Sequence, residues 1–81
     1  MKYVVISEKE EVVSAFTAMG VEAVLATSDR MAIDAVKEAI DCRKTGTLVL
    51  SDHVHEIADS ILKEHRASGR LPFVMKLDDR S

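Results

Sequence analysis

The chain has 81 residues, of which 47% are hydrophobic and 31% charged, with a net charge of −3 at neutral pH. That length makes one domain with a thin core, since a chain this short buries only about 60% of the surface its unfolded form exposes. The balance excludes a disordered chain, and no apolar run approaches the roughly 20 residues that span a bilayer.

The single cysteine, Cys42, excludes a disulfide-stapled scaffold and fits a reducing compartment, so a cytoplasmic protein is expected. Acidic and basic residues are interspersed, which argues against a nucleic-acid partner, because such domains present a basic face to phosphates. Trp is absent, and Tyr3, Phe16 and Phe73 all sit in apolar patterns, where core packing is the expected role.

Tyr3 to Ile6 is an unbroken, largely β-branched run, as in a strand buried on both faces. Ser7-Glu8-Lys9-Glu10 has the S-x-x-E form of a capping box and opens a helix. Val12, Ala15, Phe16 and Met19 recur at helical spacing, and Gly20 supplies a left-handed cap. Glu22 to Thr27 reads as a second strand. Ser28-Asp29 then caps a second helix with a stripe of Ala32, Ile33, Val36, Ala39 and Ile40, closed by Cys42-Arg43-Lys44 and Gly46. Thr47 to Leu50 is a third strand.

Ser51-Asp52 caps a third helix whose stripe, Val54, Ile57, Ala58, Ile61, Leu62 and His65, runs to Gly69. His65 closes the stripe as a boundary residue with one wet nitrogen. Leu71 to Leu77 is a last strand, marked as an edge by Pro72 and Lys76. Asp78 to Ser81 is a polar end.

The order βαβαβαβ predicts an α/β fold: a small doubly wound, mostly parallel four-stranded sheet of order 2-1-3-4 with three helices, Rossmann-like or receiver-like. In that order the first helix lies on one face and the other two on the opposite face. The sheet is then half bare over strands three and four, exposing part of the Leu48-Leu50 or Phe73-Leu77 apolar set. Either a partner covers that patch or long side chains of the first helix do.

The carboxyl ends of the strands carry Ser7-Glu8, Thr27-Ser28-Asp29 and Ser51-Asp52-His53, a rim of hydroxyls and carboxylates where ligands of open sheets bind. Helix capping alone accounts for Ser7, Ser28 and Asp52. The alternative is a degenerate receiver-like domain that binds a small ligand or divalent cation at Glu8, Asp29 and Asp52. It lacks the adjacent acidic pair after strand one, and a fifth strand with its lysine.

Gly20, Gly46 and Gly69 each follow a helix, so no glycine loop precedes one to hold phosphate. His53 and His55 are two apart and point in different directions on a helix, unlike ligands spaced by four. Cys42 could act as a nucleophile beside Arg43 and Lys44, although the dipole at a helix C-terminus opposes a thiolate. No catalytic residue, cofactor site or metal site is expected.

Taken together, several segments resemble the F subunit of the V-type and A-type rotary ATPases (ATP synthases). Met1 to Ser7 is similar to that family's opening strand. Ala15-Phe16-Thr17-Ala18-Met19-Gly20 followed by Val21-Glu22-Ala23-Val24 stands in the place of its G-F-x-L-x-G-V/I-x-x-V segment. Leu50-Ser51-Asp52 corresponds to Ile-Thr-Glu, and Leu71 to Leu77 resembles its proline-led final strand.

Ala15 and Ala18 depart from that pattern, as does Asp78 where the family often has proline. The resemblance covers residues 1–81 as one globular domain, without the further C-terminal helix that members usually carry. It implies a non-catalytic central-stalk protein docking on the long coiled-coil D subunit of the rotor, with the catalytic head as a further contact. The chain would then be peripheral to the membrane through the complex, in which ATP hydrolysis or synthesis is coupled to ion transport. The docking surface expected on this basis is Phe73, Met75 and Leu77.

Overall fold

The computed structural model describes residues 1–77; the polar end expected at Asp78 to Ser81 lies outside the described residues. The elements are β1 (Lys2–Ser7), α1 (Glu10–Ala18), β2 (Glu22–Leu25), α2 (Asp29–Asp41), β3 (Thr45–Ser51), α3 (Asp52–Ile57), α4 (Asp59–Ser68) and β4 (Phe73–Leu77). All pairings are parallel and the strand order is β2-β1-β3-β4, as the alternation of elements predicts.

Strand parity divides the side chains between two faces. Val4, Ile6, Leu48, Leu50 and Val74 point to one face, where they meet Ala32, Val36 and Ala39 of α2, Val54 of α3 and Leu62 of α4. Ile6, Leu48 and Leu50 are fully buried there, so the apolar patch does not include Leu48 or Leu50. Tyr3, Val5, Thr47, Val49, Phe73, Met75 and Leu77 point to the other face, on which α1 packs against β1 and β2.

One expected helix is two. The run from Asp52 to Ser68 breaks at Ala58, whose backbone (φ −97°, ψ 12°) leaves the helical region. No proline or glycine marks the break. Val54, Ala58, Leu62 and His65 are buried on both sides of the break, and α3 packs on β1, β3 and β4.

Capping follows the sequence at two of the three predicted helix starts. Ser28 Oγ accepts from Met31 N–H at 3.1 Å and Ser51 Oγ from Val54 N–H at 3.5 Å, each such cap contributing about 1 kcal/mol. The S-x-x-E box at Ser7 does not form. Lys9 occupies the cap position of α1, Ser7 Oγ accepts from Lys9 N–H at 3.0 Å, and Glu8 turns away to Ser51.

No residue of α1 is fully buried, because the helix stands alone on its face. Its sheet-facing line is Val12, Val13 and Phe16, all half-buried; Ala15 and Met19, expected in the stripe, are exposed. Gly20, at φ 81°, and Gly69, at φ 68°, take the left-handed conformation that ends α1 and α4. Gly46 does not close α2. It lies within β3, where an added Cβ would stand 2.6 Å from Met1 Cβ.

His65 is buried rather than half-wet. Its Nε2 donates to the Pro72 carbonyl at 2.8 Å and ties α4 to the chain entering β4, which begins at Phe73 and not at Leu71. Among the described residues no helix is long and apolar enough to cross a membrane.

Candidate functional site

The face that α1 leaves open is apolar and ordered by register. Tyr3, Thr47 and Phe73 form one row across β1, β3 and β4, and Val5, Val49 and Met75 form the next, in which Val5 is buried, with Leu77 beside Ser51 at the end. Tyr3 is 59% exposed, Phe73 70% and Met75 55%, so α1 does not reach across to cover them. Leu77 is half-buried.

Two of the three aromatics expected in the core, Tyr3 and Phe73, are thus surface residues, and only Phe16 is partly buried. Tyr3 belongs to the candidate surface although the residue pattern alone places it inward. The signal that could have found it is parity: Tyr3 shares a face with Val5, and order 2-1-3-4 puts one helix there.

The patch has the dimensions of a helix. Strands lie about 4.8 Å apart, so β1 to β4 spans about 10 Å, and Phe73 to Leu77 runs about 13 Å along the strand. An α-helix with its side chains is about 10 Å across. A doubly wound sheet buries each face under helices, and among the described residues this position holds none.

At the carboxyl ends of the strands lies the polar rim, whose three carboxylates are dispersed rather than convergent. Glu8 Oε1 accepts from Ser51 Oγ at 2.6 Å, Asp29 pairs with His53 at 3.0 Å, and Asp52 pairs with Lys76 at 3.3 Å. Glu8 and Asp29 border one cavity of about 100 Å³, and Asp52 borders another with His55 and Asp59. No group of three or more metal-ligating side chains converges among the described residues. The cation reading at Glu8, Asp29 and Asp52 therefore finds no shared centre.

His53 and His55 point apart, as their spacing requires. Asp29 raises His53 above the ordinary imidazole value through its hydrogen bond and charge, while burial, Arg66 and Lys76 lower His55. The raised value means that the His53–Asp29 contact helps the fold at low pH and is lost as pH rises through the folded-state value of His53. The pair is exposed, so salt screens it.

Proton NMR of the imidazole rings should find His53 titrating at higher pH than His55. Asp29→Asn should return His53 toward its ordinary value and leave His55 where it was; equal midpoints in the parent chain would contradict the geometry.

Cys42 caps the C-terminus of α2 and is partly exposed. The Lys44 N–H is the largest of the influences that lower its thiol below the ordinary value. No histidine is among the groups that shift it, and His65, which borders a cavity of about 280 Å³ with it, gives its Nε2 to the Pro72 carbonyl.

No curated protein matches the sequence. The family of the ATP synthase (F/14-kDa) subunit matches residues 4–81, covering β2, β3, β4 and β1 from Val4 onward. The chain belongs to this family of V-type and A-type ATPase subunits.

Proposed function

We propose that the chain is a non-catalytic component of the central stalk of a rotary ATPase, docking on the long coiled-coil D subunit and turning with it. In that role it contributes to coupling ATP hydrolysis or synthesis to ion transport, held at the cytoplasmic side of the membrane by the complex. The observation that carries this reading is the helix-sized bare face bounded by α1 and β4, with Phe73, Met75 and Leu77 as its outer row. A contiguous apolar patch on a folded domain marks an interaction surface, and family membership selects another component of the ATPase as the partner.

A coiled coil suits the patch for a further reason. Its helices present apolar side chains at regular spacing, which can lie along the groove between α1 and β4 as a resident helix would. A central aromatic such as Phe73 is the residue type that carries interface energy, surrounded by contacts that exclude water.

The test is size-exclusion chromatography with light scattering on the purified chain, alone and mixed with the coiled-coil stalk protein from the same source. A monomer that shifts into a one-to-one complex supports the reading. No complex at tens of micromolar, with both proteins folded, overturns it.

A further inference from the structure

All four methionines of the chain are exposed, from 46% at Met31 to 88% at Met1. Access alone does not set one apart, but position does. Met31 stands in the first turn of α2, behind the sheet, where its sulfur accepts from Thr27 Oγ1 at 3.0 Å. Met19 ends α1. Met75 lies in the middle of the open face, beside Val49 in register and between Phe73 and Leu77 along β4.

A thioether is apolar enough for a dry contact, and it is readily oxidised to a sulfoxide, which is polar and seeks hydrogen-bond donors. The side chains of Val49, Phe73 and Leu77 supply no donor. In the free chain Met75 is 55% exposed, so water reaches the oxygen and the fold is not asked to bury it. Under an apolar partner that water is expelled, and a polar group buried without a partner is unfavourable. The same contact covers the sulfur, so docking and oxidation exclude one another.

We propose that Met75 is a redox modification site: a hydroperoxide converts its thioether to the sulfoxide in the free chain, and the sulfoxide blocks docking. This rests on the docking reading above. In the reaction the sulfur lone pair attacks one peroxide oxygen, and an S–O bond forms as the O–O bond breaks. With hydrogen peroxide the departing hydroxide takes the proton of the transferred oxygen and leaves as water. The sulfur is oxidised and the peroxide reduced.

The intact chain is treated with hydrogen peroxide, which is then removed, and sulfoxide at each methionine is counted by peptide mass spectrometry. Binding to the coiled-coil stalk protein is followed by isothermal titration. The oxidised chain should bind about tenfold or more weakly than the reduced chain, with an unchanged urea midpoint. Met75→Leu, which keeps every other oxidisable side chain, should have the same affinity before and after peroxide. In the preformed complex Met75 should oxidise at least about fivefold more slowly, relative to Met31, than in the free chain.

An equal loss of affinity in the parent and in Met75→Leu would overturn the proposal, as would a fall in urea midpoint large enough to account for the loss. A Met75 rate that docking does not slow would also overturn it. Reduced chain that does not bind at all would remove the docking reading and this proposal with it, whereas binding that survives oxidation of Met75 would remove this proposal alone.

Discussion

Phe73→Thr combined with Met75→Thr is expected to weaken binding to the coiled-coil partner by at least about 30-fold while leaving the fold intact. Phe73 is 70% exposed and Met75 55%, so in the free chain neither side chain fills the core. Exposed substitutions of this kind usually change stability by less than about 0.5 kcal/mol. Threonine has the β-branched shape that suits an edge strand, so a loss of binding would not trace to the strand itself.

The same two positions in a bound complex would lose an aromatic anchor and a thioether from the middle of an apolar contact. Isothermal titration of the variant with the partner, alongside urea unfolding of the variant alone, separates the two effects. Unchanged affinity with unchanged stability would remove this face from the docking surface.

Leu50→Ala should produce the opposite result, a large loss of stability from a single truncation. Leu50 is fully buried between β1, β4 and the helices of the closed face, with Ile6 and Leu48 beside it. Removing a buried leucine side chain costs about 2–5 kcal/mol, depending on how far the surroundings collapse. An 81-residue chain has a total stability of only about 4–12 kcal/mol.

The variant should therefore unfold at a much lower urea midpoint with a similar slope, and the more marginal the parent, the nearer it comes to unfolding outright. Met75→Ala, on the bare face, should barely move the midpoint. If the two substitutions cost the same, the division of the sheet into a packed face and an open one would be wrong.

That division shows how far residue patterns reach and where they stop. The apolar strand cores at Val4 to Ile6 and Leu48 to Leu50, the serine caps at Ser28 and Ser51 and the helix-ending Gly20 and Gly69 act within a few residues of themselves, and each was legible. Ser7 was not, because its hydroxyl accepts from the Lys9 N–H two residues on, and the helix starts after Lys9 instead. Ala58 was not, because no proline or glycine stands at the break.

The three aromatics make the same point about the candidate surface. Hydrophobic character alone places Tyr3 and Phe73 inward, and along their own strands nothing contradicts it. Their exposure depends on which helices cover which strands, a property of the assembled sheet. Likewise Glu8, Asp29 and Asp52 gather at one edge of the strand order, yet Ser51, His53 and Lys76 take them up separately.

The sequence by itself determined the α/β class, the strand order, the edge position of β4 and the family to which the chain belongs. These rest on short-range periodicity, on the handedness of crossovers and on the order of motifs, all of which are written along the chain. Only the tertiary structure decided that Tyr3 stands open beside Phe73 and Met75 and that, among the described residues, the rim carboxylates share no centre. Exposure and pairing depend on residues distant in sequence that meet only when the sheet is assembled, and no local pattern encodes which of them will meet.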